Sequence, residues 1–240
     1  MELIQAKDYQ DMSQRACSLV LERLRGMEDP VLGLATGSTP EGMYNCLIEA
    51  YRKGEASFNN LTTFNLDEYV GLKKEHPKSY HSYMKEKLFK HINIGEDQIH
   101  LPNGTAVDLD SECLEYEKLI KNAGKIDLQI LGIGLNGHIG FNEPGTSFES
   151  RTHMVELDES TRKANARFFS SIEEVPKKAV TMGIGTILDS KEIILLVSGK
   201  NKAAALARLL KGEVSESFPA SALGEHPNTI IIADESSLNS

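Results

Sequence analysis

Two kinds of hydrophobic run alternate along the chain. Residues 31–35 (VLGLA), 61–66 (LTTFNL), 127–132 (DLQILG), 179–185 (AVTMGIG), 192–198 (EIILLVS) and 228–233 (NTIIIA) are short, nearly continuous apolar stretches closed by glycine or polar residues. Such runs are too short for helices and read as strands buried on both faces of a parallel sheet. Residues 2–5 and 99–101 add a short edge strand and a second short strand. Between them lie longer segments of helical period. Asp8 caps one with Tyr9, Met12, Ala16, Leu19, Val20 and Leu24 on one face, and residues 41–54 (EGMYNCLIEAYRKG) form another. Residues 79–89 follow, capped by Ser79, then 110–122 with Cys113, Leu114, Glu117 and Ile120 on one face, and 203–212 (AAALARLLKG). The alternation predicts an α/β fold: an open, mostly parallel, Rossmann-like sheet with helices on both faces.

The polar residues that interrupt this pattern collect after the strands, where an open α/β sheet leaves its ligand crevice. The densest set follows the strand at 127–132: Gly134, Asn136, Gly137, His138, Gly140, Asn142, Glu143 and Pro144. His138 can give and take a proton near neutral pH, Glu143 can orient and tune its ring, and Asn136 can hold the same ring from a second side. After the strand at 31–35, Thr36, Gly37, Ser38 and Thr39 precede Pro40 at a first helical position, an arrangement that offers backbone N–H groups to a phosphate. It is neither a Walker loop nor a dinucleotide fingerprint, because GxxxxGK[ST] is absent and GxGxxG does not follow this strand. The strand at 61–66 runs into Asp67 and Glu68, of which Asp67 is expected to face the crevice. A second helix amino end follows residue 198, with Lys202 beside it. Each feature also has an ordinary alternative: a capping histidine, a plain strand-to-helix turn, a solvated acidic turn.

The chain has 240 residues, enough for one α/β domain over 1–240, and residues 146–175, polar and short of periodicity, are a candidate cover over the crevice. With 35 acidic against 26 basic residues the net charge is −9, which gives no basic face for nucleic acid. Cys17, Cys46 and Cys113 are widely spaced and match no metal or disulfide framework, so reduced thiols are expected. The amino terminus lacks the apolar core of a signal peptide, and no apolar window reaches the roughly 18 residues of a membrane span. A soluble, cytoplasmic protein is expected.

The blocks LGLATGSTPEGMY, TTFNLDEYVGL, LGIGLNGHIGFNEPG, SRTH, ARFF, AVTMGIGTIL and SGKNKA, spread over nearly the whole chain, closely resemble the glucosamine-6-phosphate deaminases of the glucosamine/galactosamine-6-phosphate isomerase family. The resemblance implies an enzyme of amino-sugar catabolism that converts glucosamine 6-phosphate and water to fructose 6-phosphate and ammonia, without metal or organic cofactor. It implies that Asp67 is the base at C2, that His138 assists ring opening, that Glu143 orients the imidazole, and that Asn136 belongs to the same catalytic set. It further implies phosphate binding by Gly37, Ser38, Thr39, Arg167 and Lys202.

Many members have Asp where Asn136 stands, which shifts the acid/base task onto His138 and Glu143. Longer, hexameric relatives carry an allosteric Arg and Lys where this chain has His153 and Val155, so the short, unregulated type is expected, with a monomer favoured over an oligomer, a sugar phosphate as small-molecule partner, and neither nucleic acid nor membrane as partner. The competing readings are a 6-phosphogluconolactonase-like hydrolase and a non-catalytic sugar-phosphate sensor. The latter lacks a helix-turn-helix extension or basic stripe.

Overall fold

In the computed structural model, which describes residues 1–166 and 169–239, the strands β1 (Glu2–Ala6), β2 (Val31–Leu34), β3 (Thr62–Asn65), β5 (Ile99–His100), β6 (Leu128–Gly132), β9 (Glu192–Val197) and β10 (Thr229–Asp234) form one sheet. Its order is β1-β10-β9-β6-β2-β3-β5, and every neighbouring pair is parallel. The predicted α/β class is therefore correct, and the strand at 127–132 is central as its apolar run suggests.

Successive residues of β6 serve opposite sides. Leu128 and Ile130 join a core with Met12, Ala16 and Val20 of α1 (Tyr9–Leu24) and Met43, Tyr44 and Leu47 of α2 (Ser38–Arg52). Leu131 joins a second core with Tyr116 and Ile120 of α4 (Leu109–Asn122) and Leu206 and Leu209 of α7 (Ala203–Leu210). Each fully buried Leu or Ile contributes about 1.5–3 kcal/mol, so losing either layer would leave a sheet face unprotected.

Several sequence expectations are corrected. Tyr9, placed on the core face of α1, is 38% exposed. Its hydroxyl donates to the Ser38 carbonyl (2.8 Å) and accepts from the Gly42 N–H (2.8 Å), so the ring pins the start of α2 instead of filling the core. Leu114, placed on the buried face of α4, is 64% exposed, and Tyr116 takes the inward position. Helix α2 starts at Ser38, not at Pro40. The proline is tolerated because the first N–H groups of a helix have no acceptor within it.

The largest correction is a second, three-stranded sheet. The 61–66 strand ends at Asn65, and β4 (Asp67–Tyr69) leaves the main sheet to pair antiparallel with β8 (Lys178–Thr181), itself paired antiparallel with β7 (His153–Glu156). Residues 179–185 are thus not a strand of the parallel sheet: only the first part is extended, and α6 (Ile184–Leu188) begins within it. Part of the candidate cover is built in, since it contains β7 and α5 (Glu159–Asn165). Tyr69, Phe141, Leu157 and Ala179 form a small apolar cluster over this sheet. The remaining helices are α3 (Tyr80–Lys87) and α8 (Glu235–Leu238). No helix of the described residues is long and apolar enough to cross a membrane.

Candidate functional site

Strand order fixes where the polar loops meet. Strands β9, β6, β2 and β3 are consecutive in the sheet, and being parallel they open their carboxyl ends on one edge. Adjacent strands lie about 4.8 Å apart, so the four loops leave the sheet within roughly 15 Å. From β2 the chain proceeds to β3 and β5 on one side, while β6, β9 and β10 lie on the other. The β2/β6 boundary is therefore the topological switch point, where such sheets bind ligands. The sequence placed Gly37, Ser38 and Thr39 after β2, Asp67 after β3, Asn136, His138 and Glu143 after β6, and Lys202 after β9; the topology brings these loops to one edge.

After β2, Gly37 adopts φ +93°, a left-handed conformation that turns the chain directly into α2. No side chain caps this helix. Instead the Tyr83 hydroxyl holds the Gly37 carbonyl (2.7 Å) and Tyr9 holds that of Ser38, fixing the loop while the helix amino end keeps its capacity for an anion. After β9, Gly199 also has positive φ, and its N–H donates to Asp234 (3.2 Å), as does the Ser198 hydroxyl. That turn presents Lys202, whose ammonium donates to the Ile133 carbonyl (2.6 Å) at the end of β6. Arg167 lies outside the described residues.

After β6, the His138 ring packs on Gly134, where a Cβ would lie 2.3 Å from the imidazole, so only glycine admits the ring there. Nδ1 of His138 is buried without a hydrogen bond and sits 3.6 Å from Glu143 Oε2, an electrostatic contact one short movement from a bond. Asn136 does not hold the ring, as the sequence suggested. Its amide donates to Glu143 Oε2 (2.6 Å), and its carbonyl oxygen accepts the His138 backbone N–H (3.2 Å), so it steadies the partner and the loop. Thr161 of α5 donates to the other oxygen, Glu143 Oε1. Burial opposes ionisation of Glu143, but the His138 imidazole and the Thr161 and Asn136 donors outweigh it, holding the carboxyl at about 2.

After β3, Asp67 is 6% exposed. Burial, reinforced by the adjacent Glu68, pushes its carboxyl up to about 8. Residues 67 and 69 lie on one face of β4, so Tyr69 accompanies Asp67 while Glu68 turns away. The Tyr69 and Tyr80 rings are 4.7 Å apart, and Tyr80 stacks on Phe141 at 6.2 Å. Burial raises both phenols, Tyr69 to about 12, so they remain neutral donors beside the carboxylate. Sequence reasoning missed Tyr69, Tyr80 and Thr161. The two-residue spacing in Asp67-Glu68-Tyr69 carried a signal for Tyr69; nothing local marked the others, whose roles arise from contacts across the fold.

The sheet and its polar edge define an α/β protein with a histidine–carboxylate loop and an uncapped helix amino end at the switch point. The family of glucosamine-6-phosphate isomerases and 6-phosphogluconolactonases matches residues 7–232, and the chain belongs to it. The glucosamine-6-phosphate deaminase of Oceanobacillus iheyensis is 60% identical over 238 residues, 99% of this chain and 95% of its own. Glucosamine-6-phosphate deaminase 1 of Bacillus subtilis strain 168 is 53% identical over 234 residues, 98% of this chain and 97% of its own. Among solved structures, a monomeric glucosamine-6-phosphate deaminase superposes with a TM-score of 0.97 at 52% identity, covering 99% of this chain and 98% of that one. The 6-phosphogluconolactonase of Thermotoga maritima, 22% identical with a TM-score of 0.77 over 98% of this chain and 99% of that one, shares the fold alone.

Proposed function

We propose that this protein is a glucosamine-6-phosphate deaminase, converting glucosamine 6-phosphate and water to fructose 6-phosphate and ammonia. The observation that carries the reading is the buried Asp67 carboxyl lying beside Gly140 of the loop that holds His138 and Glu143, in a chain 60% identical to a deaminase. It acts in carbohydrate metabolism, and we assign it to amino-sugar and N-acetylglucosamine degradation in the cytoplasm, as a hydrolase of a C–N bond working as a monomer.

The phosphoryl group binds at the amino end of α2, with Gly37, Ser38 and Thr39, and takes Lys202 and Arg167 as cationic partners. Binding energy from this remote group is spent on orientation of the reacting carbons. His138 passes the O1 hydroxyl proton to the ring oxygen as the hemiacetal opens to the aldehyde, with Glu143 setting the imidazole's orientation and Asn136 steadying Glu143. Ionised Asp67 then removes the C2 proton and returns it at C1. The C2–H electron pair becomes the C1=C2 bond while the aldehyde oxygen takes the proton that the ammonium group gives up; the amine lone pair then forms the C2 imine as the C1=C2 pair accepts the returning proton at C1. Water adds to that carbon and ammonia departs, giving the ketose.

A carboxyl raised to about 8 is a stronger base than an ordinary Asp but is largely protonated at neutral pH. The expected kcat/KM therefore declines as pH falls below about 8, about tenfold per unit. A flat profile from about pH 6 to 9 contradicts the assignment. The decisive assay couples ammonia release to fructose 6-phosphate formation, with deuterium exchange at C2 as companion. A 6-phosphogluconolactonase releases no ammonia and exchanges no C2 proton.

Residues 146–175 serve as the cover, within one catalytic unit spanning 1–240. The Thr161–Glu143 hydrogen bond ties the cover's helix to the acid/base loop, so the covered state sets Glu143. Thr161→Val, which keeps volume and removes the donor, is expected to lower kcat about tenfold with KM changed less than about threefold. A kcat equal to wild type would show that the bond is incidental.

A further inference from the structure

Glu68 sits beside the carbon base yet takes no part in the chemistry described above. It is 3% exposed, and no Lys or Arg of the described residues forms an ion pair with it. One carboxylate oxygen accepts the backbone N–H groups of Tyr69 (2.8 Å) and Tyr80 (2.9 Å), and the other accepts that of His81 (3.0 Å). Tyr80 and His81 are the first residues of α3, whose amino end has unsatisfied donors and a partial positive charge. Ser79 already caps this helix through Ser82 N–H. Glu68 therefore adds a second attachment, from a strand of the small sheet to the helix.

What this attachment places is the wall of the site. Tyr80, held by its own N–H, lies between Tyr69 and Phe141, and its hydroxyl reaches Tyr69 and Thr36 of the loop after β2. Asp67 precedes Glu68 on the same short strand, so a shift of β4 against α3 would move base and wall together.

We propose that Glu68 is a positioning residue for proton transfer at C2: its buried carboxylate locks α3 to β4 and so holds Asp67 and the Tyr69–Tyr80 wall against the substrate. The inference rests on the deaminase reading and on Asp67 as the base. Glu68 also acts by charge. After burial, its proximity is the second cause of the raised Asp67 carboxyl, and the other titratable groups facing Asp67 are Tyr69, Tyr80 and Tyr116. On its far side Glu68 borders a cavity of about 240 Å³ whose other charged or titratable lining groups are Lys74, His81, His100, Glu112 and Tyr116. None of these forms an ion pair with Glu68; burial raises its own carboxyl, while the Tyr80, His81 and Tyr69 N–H groups favour its charged form.

The test is the pH dependence of glucosamine 6-phosphate turnover by wild type, Glu68→Gln and Glu68→Asp. Glu68→Gln keeps the shape but sets an amide donor against a backbone donor and removes the charge. Its kcat should fall about 10- to 100-fold, KM should change less than about threefold, and the acid limb of kcat should move down by roughly one unit. Glu68→Asp keeps the charge and shortens the reach. It should lose kcat while its acid limb stays within about half a unit of wild type. A Glu68→Gln enzyme with wild-type kcat, or with a reduced kcat and an unmoved acid limb, overturns the proposal. Should Glu68→Gln fail to fold, a Glu68→Asp enzyme with wild-type kcat overturns it equally. Wild-type protein that releases no ammonia sinks the deaminase reading itself; active wild type with unaltered variants sinks only the role of Glu68.

Discussion

Asp67→Asn is expected to lower turnover of glucosamine 6-phosphate by about 10⁴-fold and, at the same time, to stabilise the ligand-free protein. The first effect follows from the chemistry: an amide cannot take a proton from carbon. The second follows from burial. The Asp67 carboxyl titrates at about 8 in the folded protein against 3.8 ordinarily, chiefly because burial penalises the charged form. Between those values the folded state holds a proton that the unfolded chain has released. The associated stability is complete below the unfolded value and is lost as pH rises through the folded one. Asn has no proton to lose, so the gain from substitution grows with pH. A gain of up to about 5 kcal/mol is expected near pH 8, raising Tm by roughly 10–20 °C, with a smaller gain, about 2 kcal/mol, near pH 5. Denaturant melts at the two pH values measure this. A variant as unstable at the higher pH as wild type, or one retaining more than about a hundredth of the activity, would remove Asp67 from the role of buried base.

His138→Gln should cost about 10²- to 10³-fold in kcat, the ordinary scale for a positioned acid/base group. Glu143→Gln should cost less, about 10-fold, because in the proposed mechanism Glu143 acts through the ring. Its carboxyl is held at about 2, so it is charged throughout the assay range and wild type shows no titration from it. The informative measurement is the double variant. Groups that work as a unit are not additive, so the pair should be no slower than His138→Gln alone within about threefold. Full multiplication of the two losses would mean that Glu143 acts on substrate independently of His138. The 3.6 Å separation is consistent with that expectation: a small movement would bring imidazole and carboxylate into a hydrogen bond.

Much of this architecture was legible in the linear pattern. The run at Leu128–Gly132 is apolar on successive residues because helices cover both of its faces, and that periodicity is local information. Caps at Asp8 and Ser79 were legible for the same reason: a side-chain oxygen serves an N–H a few residues away. The second sheet was not. Asp67–Tyr69 finds its partner more than a hundred residues later, at Ala179–Thr181, and no pattern within a short strand names a distant mate. Tyr9 and Leu114 mislead because helical period gives a face, while the neighbouring elements decide which side of that face is covered.

The same division holds for the site. The sequence by itself determined the chemical inventory: which loops after which strands carry carboxylate, imidazole, ammonium and glycine, since these depend on residue type and on turns that only certain residues permit. Only the tertiary structure decided their working state. It turned Glu68 to the helix and Asp67 into a dry wall of tyrosines, moved Asn136 from the ring to Glu143, and brought Thr161 to the same carboxylate. Proton affinity and orientation depend on burial and on contacts between residues far apart in the chain, and a sequence states neither.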